Sequence, residues 1–500
     1  MNLEKPYVSG HFTPVTDEIT GRDLKVRGTL PPELNGRYFR NGHNPKPGIT
    51  PTHWFRGEGM IHGVRLTDGR AEWYRNRWVR TPFLDGVPFT GTELEVSAAA
   101  TNIIFHGGRY LALQEANLPY EVSADLDTIG VHDFGGKLTS AMTAHPKEDP
   151  ATGELHFFSY SPFPPYLTYY VADASGDIVK SEVIDGSGPS LMHDFAITRE
   201  HVVFINSPVV FDHAEHSGIP YRWHDDVPLR IGVMPRAGGP TSWFEVADQA
   251  ALLHVANAYT DARGRIVLEA PRFDRSAWEN SWKWWVGAPG YGTSPDAGST
   301  MYRWIIDPAT GKVTTESLND LATEFPSIND AHTGSAHRYS YAIAFPGAGL
   351  SGYHTVKFDT LTGKEKLLAH GEGRMPGEAV FAPAEGATGE DDGYLLTIVS
   401  DLTADASELL VLDASDLSTV AAVELPAGCP PASTATGSPT PNCPPDPPRS
   451  PGPPSHPHAP NGARALRQSS PPDPRSAPAP AARAAAHSPT AARPHTEELP

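Results

Sequence analysis

Apolar positions along most of the chain fall in short runs rather than in long helical periods. Examples are His201–Val210 (HVVFINSPVV), Leu155–Ser161 (LHFFSYS), Tyr394–Val399 (YLLTIV) and Glu408–Leu412 (ELLVL). Branched and aromatic side chains in runs of this length, bounded by Asp, Gly and Pro, predict strands. Between the runs a similar turn keeps returning. It is Thr67-Asp68-Gly69-Arg70, then Asp173-Ala174-Ser175-Gly176-Asp177, Asp307-Pro308-Ala309-Thr310-Gly311-Lys312 and Asp359-Thr360-Leu361-Thr362-Gly363-Lys364. Asp at a turn start bonds to its own following backbone, and Gly supplies the positive φ of a tight hairpin. Long amphipathic helical patterns are nearly absent. Hairpins recurring over about 400 residues favour an all-β propeller over a single sandwich, although periodicity alone leaves the number of blades open.

The pattern stops abruptly. Residues 1–427 read as the folded body and residues 428–500 as a tail without aromatic residues or Lys, dominated by Pro, Ala, Ser and Arg. Such a composition buries too little apolar surface to offset chain entropy, which predicts disorder. Both cysteines, Cys429 and Cys443, fall in this tail, so disulfides and cysteine metal sites are excluded from the body. A metal there would be held by His and carboxylates. The net charge of −20 argues against a nucleic-acid partner, which needs a basic face. The start, Met1-Asn2-Leu3-Glu4-Lys5-Pro6, has no secretory pattern, and no run approaches the ~18 apolar residues of a membrane span. A cytoplasmic location is the default expectation.

Three histidines stand in similar contexts, at the start of strand-like runs with small or apolar neighbours. They are His145 in Thr143-Ala144-His145-Pro146-Lys147, His193 in Leu191-Met192-His193-Asp194-Phe195, and His254 in Leu252-Leu253-His254-Val255-Ala256. Taken singly, each is an ordinary core or turn histidine. Their separations of 48 and 61 residues are about one propeller blade each. Equivalent strand positions of successive blades converge on the axis, and an all-imidazole set there suits Zn, Cu, Fe or Ni.

Together with Asn41-Gly42-His43-Asn44-Pro45, His53-Trp54-Phe55, Gly57-Glu58-Gly59-Met60-Ile61-His62-Gly63-Val64 and Tyr74-Arg75-Asn76-Arg77, these segments resemble the carotenoid cleavage oxygenase family. The resemblance runs from about Gly21 to about Leu425 and rests on several motifs in the family's order. It implies a seven-bladed β-propeller capped by loops and short helices, with Fe(2+) on the axis. It also implies that His145, His193 and His254 are metal ligands and that Glu115, Glu324 and Glu378 stand behind ligand imidazoles. Such carboxylates accept the distal N–H of each ring, fixing its tautomer and raising its basicity. No catalytic side chain beyond the metal site is implied.

The family carries a fourth ligand in a segment resembling Gly-Phe-His-Gly-x-Trp, and this chain has none. The tail histidines His456, His458, His487 and His495 lack matching neighbours. Where the motif is due, the chain reads Pro431-Ala432-Ser433-Thr434-Ala435-Thr436-Gly437-Ser438-Pro439. The fixed codon bases of these residues, read one base earlier, accommodate Gly-Phe-His-Gly-Asn-Trp-Val-Pro. This agreement predicts a shift of reading frame near Leu425–Gly428, with loss of the fourth ligand and of a closing strand.

The resemblance implies a lipophilic polyene substrate, a carotenoid or apocarotenoid, cleaved by O2 into two carbonyl products. One branch of the family cleaves stilbenes and often carries Lys before the first supporting Glu; here that position is Gln114, which favours a polyene. Trp278, Trp282, Trp284 and Trp285 form the densest aromatic patch. Packing between loops is one reading of it; a tunnel mouth with peripheral membrane contact is the other. Rival readings are a catalytically inactive polyene-binding propeller and a propeller hydrolase or lyase using Ca2+ through carboxylates. The second needs an acidic axial set, whereas the matched positions are histidines.

Overall fold

A computed structural model describes residues 5–214, 218–289 and 298–430 and the backbone of 434–438. Seven sheets of four or more strands follow one another along the chain, with one further two-stranded hairpin. The fold is the all-β, seven-bladed propeller. In each of five central blades the strands lie in chain order from inside out, as in Lys147–Glu148, Leu155–Tyr160, Leu167–Ala172 and Ile178–Val183. Burial follows that order. Leu155–Tyr160 is buried along nearly its whole length, whereas Ile178–Val183 is never fully buried. An inner strand has neighbouring blades on both faces, and an outer strand borders solvent.

The recurrent turns behave as their residues require. Gly69, Gly176, Gly311 and Gly363 take φ of +71°, +89°, +73° and +67°. The carboxylate of Asp173 accepts from Ser175 N at 3.0 Å, Asp307 from Ala309 N at 3.0 Å and Asp359 from Leu361 N at 3.1 Å. Between blades lie apolar layers, such as Val64, Leu66 and Tyr74 against Ile398, Leu409 and Val423. Burying each such side chain contributes about 1.5–3 kcal/mol.

Buried amides stitch one blade to the next. Asn41 Nδ2 donates to Ala99 O and Asn102 O, Asn102 Nδ2 donates to Ala144 O, and Asn257 Nδ2 donates to His332 O and Ser335 O. Each bond ties the main chain of one segment to the amide of another and leaves fewer buried carbonyls unpaired.

The ring is closed twice by strands from opposite parts of the chain. Val26–Gly28 pairs with Thr419–Leu425, and Thr434–Ser438 pairs with Gly36–His43 in antiparallel register, Asn41 opposite Thr434. The closing edge is not vacant, because the backbone of Thr434–Ser438 occupies it; this stretch contains no Pro, so each of its N–H groups is available to a ladder. Residues around 428 are packed as well. Cys429 is 1% exposed, packed in the layer between the first and last blades, and donates its N–H to Ser407 Oγ. The disorder expected for the rest of the tail, with Cys443 and the four tail histidines, falls outside the described residues.

Above one end of the ring sits a cap. It holds the helix Arg275–Trp285, the hairpin Val209–Phe211 with Tyr221–Trp223, and the N-terminal 3-10 turns Pro6–Val8 and Gly10–Phe12. Asp274 caps the helix by accepting from Ala277 N. Lys5 Nζ donates to Val286 O and Gly287 O, placing a cation at the helix C-terminus. Phe12 and Trp54 meet Trp284 edge-on at 5.0 and 5.2 Å, which fixes the cap to the first blade.

Candidate metal centre and substrate cavity

Each of the three histidines stands two or three residues before the innermost strand of its blade. His145 precedes Lys147–Glu148, His193 precedes Ala196–Ile197 and His254 precedes Asn257–Thr260. These blades are consecutive, so the rings converge. His145 Nε2 lies 2.9 Å from His193 Nε2, which lies 3.2 Å from His254 Nε2, and the ligand atoms of all three are within 4.8 Å of one another. All three residues are buried.

The far nitrogens settle what these contacts are. His193 Nδ1 donates to Glu115 Oε1 and His254 Nδ1 donates to Glu324 Oε2, both at 2.6 Å. With the proton on Nδ1, the Nε2 atoms of His193 and His254 each present a lone pair to the site. Lone pairs this close repel one another, and a cation among them turns the repulsion into coordination. The donor set therefore fits a metal ion of the kind that imidazole binds. Burial, then the rings of His193 and His254 and the Lys147 ammonium, hold His145 well below the ordinary histidine pKa. For His193 burial opposes charge, but the carboxylates of Glu115, Asp194 and Glu324 act together against it and the pKa is raised.

Sequence reasoning missed the residue that ties the three segments together. Asp194 Oδ1 accepts from Phe195 N at 2.7 Å and from Lys147 Nζ at 2.8 Å, and its Oδ2 accepts from Val255 N at 2.8 Å. Lys147 follows His145 by two positions, Asp194 follows His193 directly, and Val255 follows His254 directly. One buried carboxylate thus fixes the mutual positions of all three ligand segments. Its signal in the sequence is only an acid beside a candidate ligand. Phe325 was missed too. Its φ of +57° is strained for a bulky residue, its N–H is held by Glu324, and its ring lies 5.0 Å from that of His254. Glu378 lies elsewhere, in the link between Arg374–Pro376 and Val380–Pro383, a strand that packs beside Thr434–Ser438. A second cluster, Asp149, Glu154 and His156, is occupied by Arg236, which bonds to all three and leaves no need for a metal.

Comparison with known proteins identifies the arrangement. The family model described as "Retinal pigment epithelial membrane protein" matches residues 12–432. The carotenoid cleavage oxygenase of Mycobacterium tuberculosis is 35% identical over 87% of this chain and 98% of its own length. The chain belongs to the carotenoid cleavage oxygenase family. Its members are non-haem iron dioxygenases, and this chain is an enzyme of that type. Among solved structures, a Synechocystis apocarotenoid oxygenase variant superposes with a TM-score of 0.74 at 26% identity, covering 86% of this chain and 98% of that one. A Pseudomonas brassicacearum lignostilbene dioxygenase gives 0.77, with the same identity and coverage.

His193 and His254 open onto a cavity of about 570 Å3 beneath the cap. Phe55, Tyr160, Tyr221, Trp282, Trp285 and Phe325 are among its walls. Of the four tryptophans of the helix, Trp278, Trp282 and Trp285 recur at i, i+4 and i+7 and touch one another, while Trp284 lies on another face. Trp282 and Trp285 face the cavity, whereas Trp278 and Trp284 are core residues at 2% and 1% exposure. Trp278 packs on Phe273 and Trp285, and Trp284 packs on Phe12. Gln114 lines the cavity with its Oε1 accepting from Ala100 N and Thr101 Oγ1. Among the described residues no helix is long and apolar enough to cross a membrane.

Proposed function

We propose that this chain cleaves a conjugated double bond of a carotenoid or apocarotenoid with O2 at an Fe(2+) held by His145, His193 and His254. The observation that carries the reading is the convergence of three histidine Nε2 atoms beside an aromatic cavity. Fe(2+) would supply the binding and activation of O2. Each alkene carbon receives one oxygen atom as the C=C bond breaks, so the two products are carbonyls and no other reductant is needed. The protein's own part is positional. Aromatic walls stack along a flat, rod-like polyene and exclude water. Glu115 and Glu324 keep the proton on Nδ1 of His193 and His254, so that Nε2 remains a donor. Stilbene cleavage is the second reading, supported by the likeness to the lignostilbene dioxygenase. The neutral amide of Gln114 offers a phenolate no cation, which favours the polyene.

The fourth ligand belongs to the other reading frame. Position 434 lies opposite Asn41 on a strand that packs beside the strand following Glu378. In the shifted frame that position encodes His, with Glu378 as its supporting carboxylate, and position 429, now a buried Cys, encodes Val. A core site and a ligand site both regain suitable residues from one base. The test is to express the given chain and a frame-restored chain. Bound iron and the carbonyl products formed from an apocarotenal under O2 are then measured. The restored chain is expected to hold one iron per protein and to cleave, and the given chain to hold less and cleave slowly. Failure of the restored chain to bind iron or to cleave either a polyene or a stilbene would overturn the reading.

A further inference from the structure

We infer that Arg56 anchors a carboxylate at the end of the substrate, so that the cavity prefers a polyene acid to a neutral polyene. This inference rests on the polyene reading of the same cavity. Arg56 closes the short 3-10 turn Trp54–Arg56 and lines the cavity beside Phe55 and Trp282. Its Nη2 donates to Gly218 O at 2.7 Å, and its Nε is buried without an acceptor. Gly218 suits that approach, because at its φ of +129° a Cβ would lie 2.9 Å from the Cβ of His53.

Among the described residues no carboxylate bonds to Arg56, and burial alone acts on its pKa, lowering it. Both carboxylates lining the cavity are committed elsewhere, Glu115 to His193 and Glu324 to His254. The neighbouring His43 and His53 are held neutral, at about 4 and about 3, chiefly by burial. A guanidinium cannot shed its proton to escape burial, as a histidine does. It is stabilised by an anion brought to it, and a carboxylate matches its planar fork through paired N–H···O bonds. Around it the walls are apolar, including Phe55, Ile219, Pro220 and Trp282. An apolar body with one anionic end is the ligand that satisfies both parts of the surface.

The test uses the full chain and needs no turnover. All-trans-retinoic acid and its methyl ester, nearly the same shape with and without the charge, are titrated at neutral pH while quenching of tryptophan fluorescence is followed. Trp282 and Trp285 in the wall are the reporters. The acid is expected to bind about tenfold tighter than the ester, as a charge-assisted pair provides. Arg56→Met should erase that preference, with ester binding serving as the check on folding. Arg56→Lys should keep part of it, since the charge stays and the fork is lost. Equal binding of acid and ester by the parent chain overturns the role of Arg56 while leaving the polyene reading intact. Equal weakening of both ligands by Arg56→Met also overturns it, by showing that Arg56 only shapes its turn. Quenching by neither ligand overturns the polyene reading and this inference with it.

Discussion

Replacing Asp194 by Ala removes a single carboxylate, yet the structure ties it to all three ligand segments. Asp194 is 3% exposed and accepts three hydrogen bonds. The bond to Phe195 N is local, so its loss matters least. Loss of the Val255 bond leaves a buried N–H unpaired, which costs about 1–3 kcal/mol. Lys147 loses its counter-ion, and orphaning one partner of a fully buried pair costs about 3–5 kcal/mol. The Lys147 side chain keeps 20% exposure, so part of that penalty is relieved by water. The loss should therefore total about 3–4 kcal/mol, less than the sum because the groups share one site. The assay is urea denaturation of the metal-free chain, with Lys147→Met and the double variant completing a cycle. Metal titration of the same proteins reads the second consequence. A clamp on the ligand segments implies a dissociation constant raised about 10–100-fold. If Asp194→Ala lowers stability by less than about 1 kcal/mol, a change typical of unexceptional substitutions, the clamp is not what holds these blades. If stability falls while metal affinity is unchanged, Asp194 packs the blades without positioning the ligands.

Other outcomes follow from the same geometry. Glu324→Gln keeps an acceptor for His254 Nδ1 but removes the charge, and metal affinity in a chelator competition should fall about tenfold or more. Trp284→Ala should cost about 3–5 kcal/mol in denaturation, as a buried aromatic does. Trp282→Ala should leave stability close to the parent and enlarge the cavity, seen as altered polyene affinity. His53, His62, His156 and His370 are pushed to about 3 and His43 to about 4, in each case chiefly by burial. Each is lowered in the folded state, so the unfolded chain binds more protons below its ordinary pKa of about 6.5. Stability should be intact above that pH and fall as pH drops towards 4, by about 1.4 kcal/mol per unit for each group. Denaturation midpoints that stay level between pH 7 and pH 5 would refute the neutral, buried assignment.

The turns were legible because their determinants are local. Asp173, Asp307 and Asp359 bond to backbone two residues on, so three or four letters contain the whole interaction. The histidine set was legible only in part. Its separations of 48 and 61 residues are unequal because the hairpin Val209–Phe211 with Tyr221–Trp223 is inserted into one blade and serves the cap. Nothing in its residues marks it as an insertion. Asp194 could not be assigned its role, because Lys147 and Val255 become its partners only through the ring. The strand Thr434–Ser438 was hidden by averaging: composition taken over the whole tail obscured five residues without Pro. Trp278, Trp282 and Trp285 share one helical face, so spacing alone could not show that Trp278 lies against Phe273 while the other two reach the cavity.

Closure of the ring and completion of the metal site depend on different properties of the same strand. Pairing of Thr434–Ser438 with Gly36–His43 uses main-chain groups, which Thr, Ala, Gly and Ser supply as well as any other residues. Val26–Gly28 on Thr419–Leu425 closes the ring independently. A side chain at position 434, by contrast, decides whether a fourth imidazole exists. Folding and metal affinity should therefore separate when the given and frame-restored chains are compared. Without metal, the two should unfold within about 2 kcal/mol of each other, the difference arising from packing at positions such as 429. With iron added under anaerobic conditions, the restored chain should gain stability by RT ln(1 + [Fe]/Kd), about 2.7 kcal/mol at a concentration of one hundred times Kd. The given chain should gain less at the same concentration, because three donors bind more weakly than four. Equal gains would mean that the three histidines already make a complete site. In that case the tail, in either frame, contributes a strand and no ligand.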